Sequence, residues 1–240
     1  MIELDAVDVP APWDPENVLI PAVQWRVETG DRWLVAGGPG SGKSSLLAVA
    51  AGLVRPLRGR HRVFGRELPS LTEAEQTRER LRLGVVFGGG GRLFSQWTLV
   101  ENLVMPVAYH ATSEEEVDES WIRALLDEFE LGPWAQRMPR ELPRRVAQRA
   151  ALARALALRP EALLLDDPVL GLPASEVLEW VEYVASGARR WGVRTWVIAV
   201  SDPEPWRRVA SKFALVEPKS WRVVDGLNEL EGLLRPATSG

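Results

Sequence analysis

The chain contains no cysteine and only two histidines among its 240 residues. The absence of cysteine excludes disulfide bonds and metal sites built on thiolates, and two histidines are too few for a histidine-based metal cluster. No apolar run approaches the roughly 18 residues that a membrane-spanning helix requires. The composition, with 46% hydrophobic and 26% charged residues, suits one domain with a sizeable core.

The chain also lacks an excess of positive charge, since its formal net charge is −4. Proteins that bind nucleic acid through bulk charge are basic, so we expect no nucleic-acid partner. The first ten residues, MIELDAVDVP, are acidic and have neither the basic nor the apolar region of a signal peptide. The expected location is therefore the cytosol or the cytosolic face of a membrane.

Residues 37–44 read GGPGSGKS and fit the phosphate-binding loop pattern G-x-x-x-x-G-K-[ST]. A polyphosphate needs closely spaced N–H donors, which glycine supplies because it lacks a Cβ, and a cation, here Lys43. The Ser44 hydroxyl would ligate Mg²⁺, and the N-terminus of the following helix adds partial positive charge. An apolar strand precedes the loop and a helix-forming run follows it, as the pattern requires. The predicted nucleotide-binding residues of this loop are Gly37, Gly38, Pro39, Gly40, Ser41, Gly42, Lys43, Ser44 and Ser45.

Apolar strands alternate with helices along most of the chain, which indicates an α/β fold with a mostly parallel central sheet. Residues 1–36 have the pattern of short strands broken by turns and are predicted to form an N-terminal antiparallel β part. A helix is predicted to begin at Ser113, which forms a capping-box pattern with Glu116, and a second helix covers 144–158. We expect a single domain over 1–240, with a helical subdomain inserted at about 92–158.

The apolar run ALLL is followed directly by Asp166 and Asp167, which is the Walker B pattern. The C-terminal end of a strand in a parallel sheet faces the crevice where such sheets bind ligands. Asp166 would hold Mg²⁺ there together with Ser44, directly or through water. The alternative is that one of these carboxylates, Asp167 in particular, caps the next helix.

The chain resembles the nucleotide-binding domains of ABC transporters in four segments, GGPGSGKSSLL, LGVVF, QRAALARALALRPEALLLDDP and VSDPEPWRRVASKFALVEPKSWRVVDG. The resemblance implies a P-loop NTPase that binds ATP with Mg²⁺ and docks on a membrane permease subunit. It implies a second ABC subunit, in a homo- or heterodimer, that completes two sandwiched ATP sites. It implies a peripheral position at the cytoplasmic face of the cell's inner membrane. It also aligns Trp13 with an adenine-stacking aromatic, the alternative being a core residue at a strand edge.

Several positions that serve hydrolysis in that family carry other residues here: Gly88 for a glutamine, Pro143, Arg144 and Arg145 for the serine and glycines of the LSGGQ signature, Asp167 for the catalytic glutamate, Pro173 for an aspartate and Ser201 for a histidine. Asp167 keeps the charge of a general base, but its side chain is one methylene shorter, and a base must come within about 2.6–3.2 Å of its proton's position. Arg144 and Arg145 either bind a partner's phosphates or form a solvated basic helix end.

Three functions are compatible with these residues. The first is an ATP-binding subunit of an ABC-type membrane transport complex, which binds MgATP with weak or no hydrolysis and has a structural or regulatory role. The second is an active ATPase that energises transport with Asp167 as base, and the third is a scaffold outside transport. Residues 91–107 resemble the matching segment of lipid-transport ATPases associated with MCE proteins. The tryptophans and the apolar segment 92–110 suit docking on a membrane subunit, the alternative being that they form the core of the helical subdomain.

Overall fold

The computed structural model describes residues 1–88, 92–111 and 118–234, in which the chain forms ten strands and seven α-helices. The strands are β1 (Ile2–Ala11), β2 (Asp14–Val27), β3 (Arg32–Ala36), β4 (Arg58–Val63), β5 (Arg66–Glu67), β6 (Leu83–Val86), β7 (Ala162–Asp166), β8 (Thr195–Val200), β9 (Lys212–Glu217) and β10 (Ser220–Val224). The helices are α1 (Lys43–Ala50), α2 (Glu73–Leu81), α3 (Leu99–His110), α4 (Glu119–Glu128), α5 (Arg144–Leu156), α6 (Ala174–Arg190) and α7 (Leu227–Leu234). None of the described helices combines the length and the apolar character needed to cross a membrane.

The strands form two sheets, as the sequence predicts. The six-stranded sheet has the order β10-β9-β3-β8-β7-β6, and all of its pairs are parallel except β10 with β9. The four-stranded sheet, β2-β1-β4-β5, is antiparallel. The expectation of short N-terminal strands is wrong, because β1 and β2 are ten and fourteen residues long. The interruptions in the strand pattern of residues 1–36 are β-bulges within β1 and β2. The β1–β2 register shifts there, and Ala6 and Ala22 adopt positive φ.

The central strands supply two apolar cores, because successive side chains of a strand point to opposite faces of its sheet. Leu163 and Leu165 of β7 pack in a core with residues of α3, α4, α5 and α6. Ala162 and Leu164 pack in the other core, with α1 and the antiparallel sheet. The helices of the predicted inserted subdomain thus share an apolar core with one face of the parallel sheet. The subdomain limits at about 92–158 stay a prediction.

The helices between the Walker motifs match the sequence in part. Helix α5 confirms the helix predicted from Arg144 onward. Helix α4 lies within the helix predicted from Ser113 and is capped by Asp118, whose side chain accepts the Trp121 N–H. The predicted capping box of Ser113 and Glu116 lies outside the described residues. Helix α3 was not predicted from sequence, although a capping box marks its start.

Candidate functional site

The predicted phosphate loop connects β3 to α1, and close packing explains two of its glycines. Gly42, which caps α1, has a φ of +105°, and a Cβ at this position would lie 2.9 Å from the Leu19 side chain of β2. A Cβ at Gly37 would collide with the carbonyl oxygen of Val216 and lie 2.7 Å from Ser41 Oγ. The loop can therefore keep this shape only with glycine at both positions.

Lys43, the first residue of α1, is buried, and its ammonium points back over the loop. Burial lowers its pKa, and the nearby carboxylates of Asp167 and Asp166 oppose this effect. Its Nζ donates to the carbonyl oxygens of Gly37 at 2.6 Å and Gly38 at 3.0 Å, and to Ser201 Oγ at 3.3 Å. An ammonium group has three donors, so a phosphate that binds Lys43 would replace some of these partners.

The two predicted metal ligands lie together at the carboxyl end of β7. Asp166 is 7% exposed, and its carboxylate accepts hydrogen bonds from the Ser44 hydroxyl and from the Gly88 backbone N–H. Burial raises the pKa of Asp166, the Ser44 hydrogen bond lowers it, and the charge of Asp167 raises it further. A cation bound between these oxygens would favour the ionised carboxylate.

Asp167 leaves β7 in the left-handed backbone region, with a φ of +45°, which aspartate tolerates better than most residues. Its N–H donates to the Ala199 carbonyl at 2.7 Å, and its Oδ2 accepts the Ser201 hydroxyl at 3.0 Å. The alternative that Asp167 caps the next helix is wrong, because α6 begins at Ala174. Ser201, which follows β8, therefore connects the carboxylate of Asp167 with the ammonium of Lys43.

The two arginines at the signature position behave differently. Arg144 donates from Nε and Nη2 to the carbonyl oxygen of Leu170, at 3.0 and 2.7 Å. Arg145 is exposed and donates no hydrogen bond to the residues that the structure describes. The exposure of Arg145 agrees with the interpretation as a solvated basic helix end. Arg144 fits neither that interpretation nor the binding of a partner's phosphates, because it is engaged with its own chain.

Two further predicted positions lie at the edges of the site. A Cβ at Gly88 would lie 3.2 Å from the Asp166 carbonyl oxygen, so there is little room for a side chain there. Residues 89–91 lie outside the described residues. Trp13 lies in the turn between β1 and β2 and is 73% exposed, so the interpretation as a core residue is wrong. Its adenine-stacking role stays a prediction.

The phosphate loop fits a nucleoside triphosphate with Mg²⁺. A Cβ at Gly38 or Gly40 would meet no atom within 4 Å, so the loop is open on that side. Ser41 Oγ is buried without a hydrogen-bond partner inside the loop, and such atoms call for a ligand or a water. A hydroxyl and one carboxylate suit Mg²⁺, which uses few protein ligands and completes its shell with phosphate oxygens and water.

Comparisons with known proteins agree with this geometry. A sequence profile described as ABC transporter matches residues 20–170. The methionine import ATP-binding protein MetN 1 of Salmonella typhimurium (strain LT2) is 31% identical over 194 residues, which are 81% of this chain and 56% of that protein. MetN of Escherichia coli (strain K12) is 30% identical with the same coverage. The chain thus spans little more than half the length of these relatives.

Solved structures share the fold over nearly the whole chain. The dimeric structure of MJ0796, described as a bacterial ABC transporter cassette, has a TM-score of 0.78 at 25% identity and covers 95% of this chain and 100% of that one. The structure of cbiO1 from Clostridium perfringens, part of the ABC transporter complex cbiONQ, has a TM-score of 0.79 at 19% identity, over 97% of this chain and 90% of that one. The predicted α/β class and P-loop NTPase fold are confirmed.

Proposed function

Because the chain belongs to the ABC transporter family, we propose that it is the ATP-binding subunit of a membrane transport complex and that it binds MgATP with weak or no hydrolysis. ATP then has a structural or regulatory role in the complex. One observation carries this proposal. Lys43, Ser44 and Asp166 lie together beside an open glycine loop, whereas Arg144 at the signature position is engaged within its own chain.

The loop residues Gly37–Ser45 would hold the triphosphate through backbone N–H groups, with the Lys43 ammonium on the β- and γ-phosphates. Ser44 and Asp166 would hold Mg²⁺, which supplies charge neutralisation on the phosphate oxygens when it is bound. The exposed Trp13 offers an aromatic face for the adenine ring.

Weak hydrolysis follows from the groups that surround the phosphates. Phosphoryl transfer depends on positioning and electrostatic stabilisation, and each lost group costs orders of magnitude in rate. Gly88 has no side chain to orient water or sense the metal. Pro143 removes an N–H donor at the start of α5. The side chain of Asp167 is one methylene shorter than that of a glutamate, so its carboxylate reaches less far towards an attacking water.

The proposed partners are a membrane permease subunit and a second ABC subunit, identical or different, at the cytoplasmic face of the inner membrane. An exposed aromatic pair at the start of the helical region supports the permease contact. The rings of Phe94 and Trp97 are 5.0 Å apart, and the side chains are 45% and 38% exposed. Exposed aromatic side chains on an anchored loop are typical of protein interfaces.

The test of nucleotide binding is the MgATP affinity of the purified chain by titration calorimetry. The wild-type chain should bind MgATP, and Lys43→Ala should weaken binding by at least about tenfold, because a hydrogen bond to a charged group contributes about 1.5–3 kcal/mol and tenfold corresponds to about 1.4 kcal/mol. Arg123→Ala is the control, since Arg123 is 74% exposed on α4 and pairs with the exposed Glu119, and it should bind like the wild type. Absence of binding in the wild type would leave the scaffold function.

The contact between Ser201 and Asp167 favours a second candidate, an active ATPase with Asp167 as general base. A hydrogen bond at 3.0 Å holds the carboxylate beside the phosphate loop, where an attacking water would approach. For that function, Asp167→Asn should abolish phosphate release in the assembled complex while MgATP still binds. Retained phosphate release in Asp167→Asn would rule out this role of Asp167.

A further inference from the structure

Three side-chain donors converge on one backbone carbonyl in the loop that follows the Walker B strand. Arg144 donates to Leu170 O from Nε at 3.0 Å and from Nη2 at 2.7 Å, and Gln148 Nε2 donates to the same oxygen at 3.3 Å. The two residues that carry these donors lie on the first turns of α5, one turn apart on the same face. The carbonyl of an exposed loop residue is thus held by the signature helix of the same chain.

The shape of the loop leaves room for the arginine. Gly171 has a φ of +77°, and a Cβ at this position would lie 2.6 Å from both Nε and Nη2 of Arg144. The guanidinium therefore occupies the space that a side chain at position 171 would need. The contact also gives a carbonyl partner to a positive charge at the N-terminus of α5, where the helix dipole disfavours such a charge.

The held carbonyl lies only three residues from Asp167. The Leu170 N–H donates to the Asp167 carbonyl at 3.0 Å, and the Leu172 N–H donates to the Val169 carbonyl at 3.0 Å. Two successive turns thus connect the arginine contact with the backbone of Asp167. Its left-handed backbone, with a φ of +45°, depends on such surrounding contacts to persist.

We propose that Arg144 is a positioning residue that fixes the loop 167–172, and with it the carboxylate of Asp167, through the Leu170 carbonyl of its own chain. The consequence for the nucleotide rests on the proposed function, because Asp167 matters there only if MgATP binds beside it. The contact with Leu170 stands without nucleotide. To bind a phosphate on a second subunit with the same Nε and Nη2 edge, Arg144 would have to release Leu170.

Amide hydrogen exchange on the full chain without nucleotide tests the contact. In Arg144→Ala the amides of Leu170 and Leu172 should exchange at least about tenfold faster than in the wild type, because local opening becomes easier. Arg145→Ala is the matched control, since it removes the neighbouring arginine on the same turn, and its exchange should stay within about twofold of the wild type. Equal exchange in the wild type and in Arg144→Ala would overturn the proposal.

A second readout follows the carboxylate itself and separates positioning from general stability. The ¹³C resonance of the Asp167 carboxylate, assigned by its loss in Asp167→Asn, should shift in Arg144→Ala and move back part of the way in Arg144→Lys. A lysine can still donate to Leu170 O, but from one nitrogen atom instead of two. An unmoved resonance in Arg144→Ala would contradict the connection to Asp167.

Nucleotide binding distinguishes this proposal from the proposed function. Lys43→Ala tests MgATP binding, and Arg144→Ala should leave the MgATP affinity of the isolated chain within about twofold of the wild type, since Arg144 donates to its own loop. If Arg144→Ala instead leaves loop exchange unchanged and abolishes MgATP-dependent self-association, Arg144 binds a partner's nucleotide and the proposal is wrong.

Discussion

At the scale of single residues, the phosphate loop is held by close backbone approaches that only glycine permits. Gly37 and Gly38 are neighbours in the same loop, but their surroundings differ. A Cβ at Gly37 would collide with Val216 O and Ser41 Oγ, whereas a Cβ at Gly38 would meet no atom within 4 Å. The two positions therefore form a matched pair for testing how tightly this loop is packed.

We predict that Gly37→Ala destabilises the fold by about 1–3 kcal/mol, the usual range for overpacking, and that Gly38→Ala does not. About 1 kcal/mol shifts Tm by roughly 2–4 °C in a domain of this size. Thermal unfolding of the two variants beside the wild type checks the prediction. A Tm of Gly37→Ala equal to that of the wild type would show that the loop can move aside at Gly37.

A second residue-scale prediction concerns His61, which is 1% exposed in β4 and has no hydrogen-bond partner at Nε2. Burial lowers its pKa from 6.5 to about 4, opposed by a hydrogen bond to the Ala50 backbone. Between pH 6.5 and about pH 4 the imidazole of His61 is protonated in the unfolded state but neutral in the folded state. Stability contributed by neutral His61 is therefore full above pH 6.5, falls as the pH drops towards 4, and stays low below that.

The loss between pH 7 and pH 4 should be about 3 kcal/mol, at about 1.4 kcal/mol per pH unit. Urea unfolding at both pH values measures it, and His61→Phe should remove this part of the pH dependence because phenylalanine does not titrate. The other histidine, His110, is exposed at the end of α3, so His110→Gln should keep the dependence. A pH dependence as steep in His61→Phe as in the wild type would contradict the assignment.

At the scale of elements, Asn102 of α3 holds the segment that carries the exposed aromatic pair. Its side chain is 0% exposed. Oδ1 accepts the Phe94 N–H at 2.7 Å, and Nδ2 donates to the carbonyl oxygens of Phe94, Trp97 and Thr98 at 3.0–3.1 Å. One buried amide thus contacts four backbone groups, with its two N–H donors shared among three carbonyl oxygens, and fixes where Phe94 and Trp97 lie.

Asn102→Leu keeps the volume of the side chain and removes the partner of the Phe94 N–H and of the Phe94 and Trp97 carbonyl oxygens. We predict a loss of about 2–3 kcal/mol in the free energy of unfolding, the usual result of leaving buried polar groups unpaired. Urea unfolding checks it, with Asn17→Ala as control because Asn17 is exposed in β2. A loss below about 0.5 kcal/mol, the range of surface substitutions, would show that other contacts hold this segment.

The elements also show how far the sequence predicts this fold. The parallel sheet follows from short apolar runs that alternate with helices, and the end of α5 follows from Arg159 and Pro160, which are local signals. Helix α3 was missed because the apolar residues of 92–110 have no clean period and Pro106 lies inside the helix, although Thr98 and Glu101 form a capping box. Local pattern also cannot distinguish a bulge from a turn, so β1 and β2 were expected as shorter strands.

The candidate site was predicted to the extent that its residues belong to contiguous motifs. Lys43, Ser44 and Asp166 come together as the strand–loop–helix pattern implies. The bridging role of Ser201 was missed, since it joins Lys43 and Asp167 across separations of 158 and 34 residues. The contact of Arg144 with Leu170 was missed for the same reason, because a side chain's direction at a helix start depends on the loop packed beside it.

At the scale of the whole molecule, the parallel sheet brings the phosphate loop, the two aspartates and Ser201 to one edge. The loop after β3, the carboxylates after β7 and Ser201 after β8 lie on adjacent strands, because β8 pairs with both β3 and β7. A ligand at this edge would contact groups from three strands at once, as expected for the carboxyl ends of parallel strands. Under the proposed function, the same edge would both bind the phosphates and decide whether they react.

The central claim, that the chain binds MgATP without appreciable turnover, is tested most directly by a single-turnover experiment. Excess protein is mixed with γ-labelled MgATP, and bound ATP and free phosphate are followed together. We predict that the label stays on intact, protein-bound ATP for many minutes. The rate constant of hydrolysis would then lie far below the roughly 1–10³ per second typical of enzymes. Rapid release of one phosphate per bound ATP, lost in Asp167→Asn, would contradict the account.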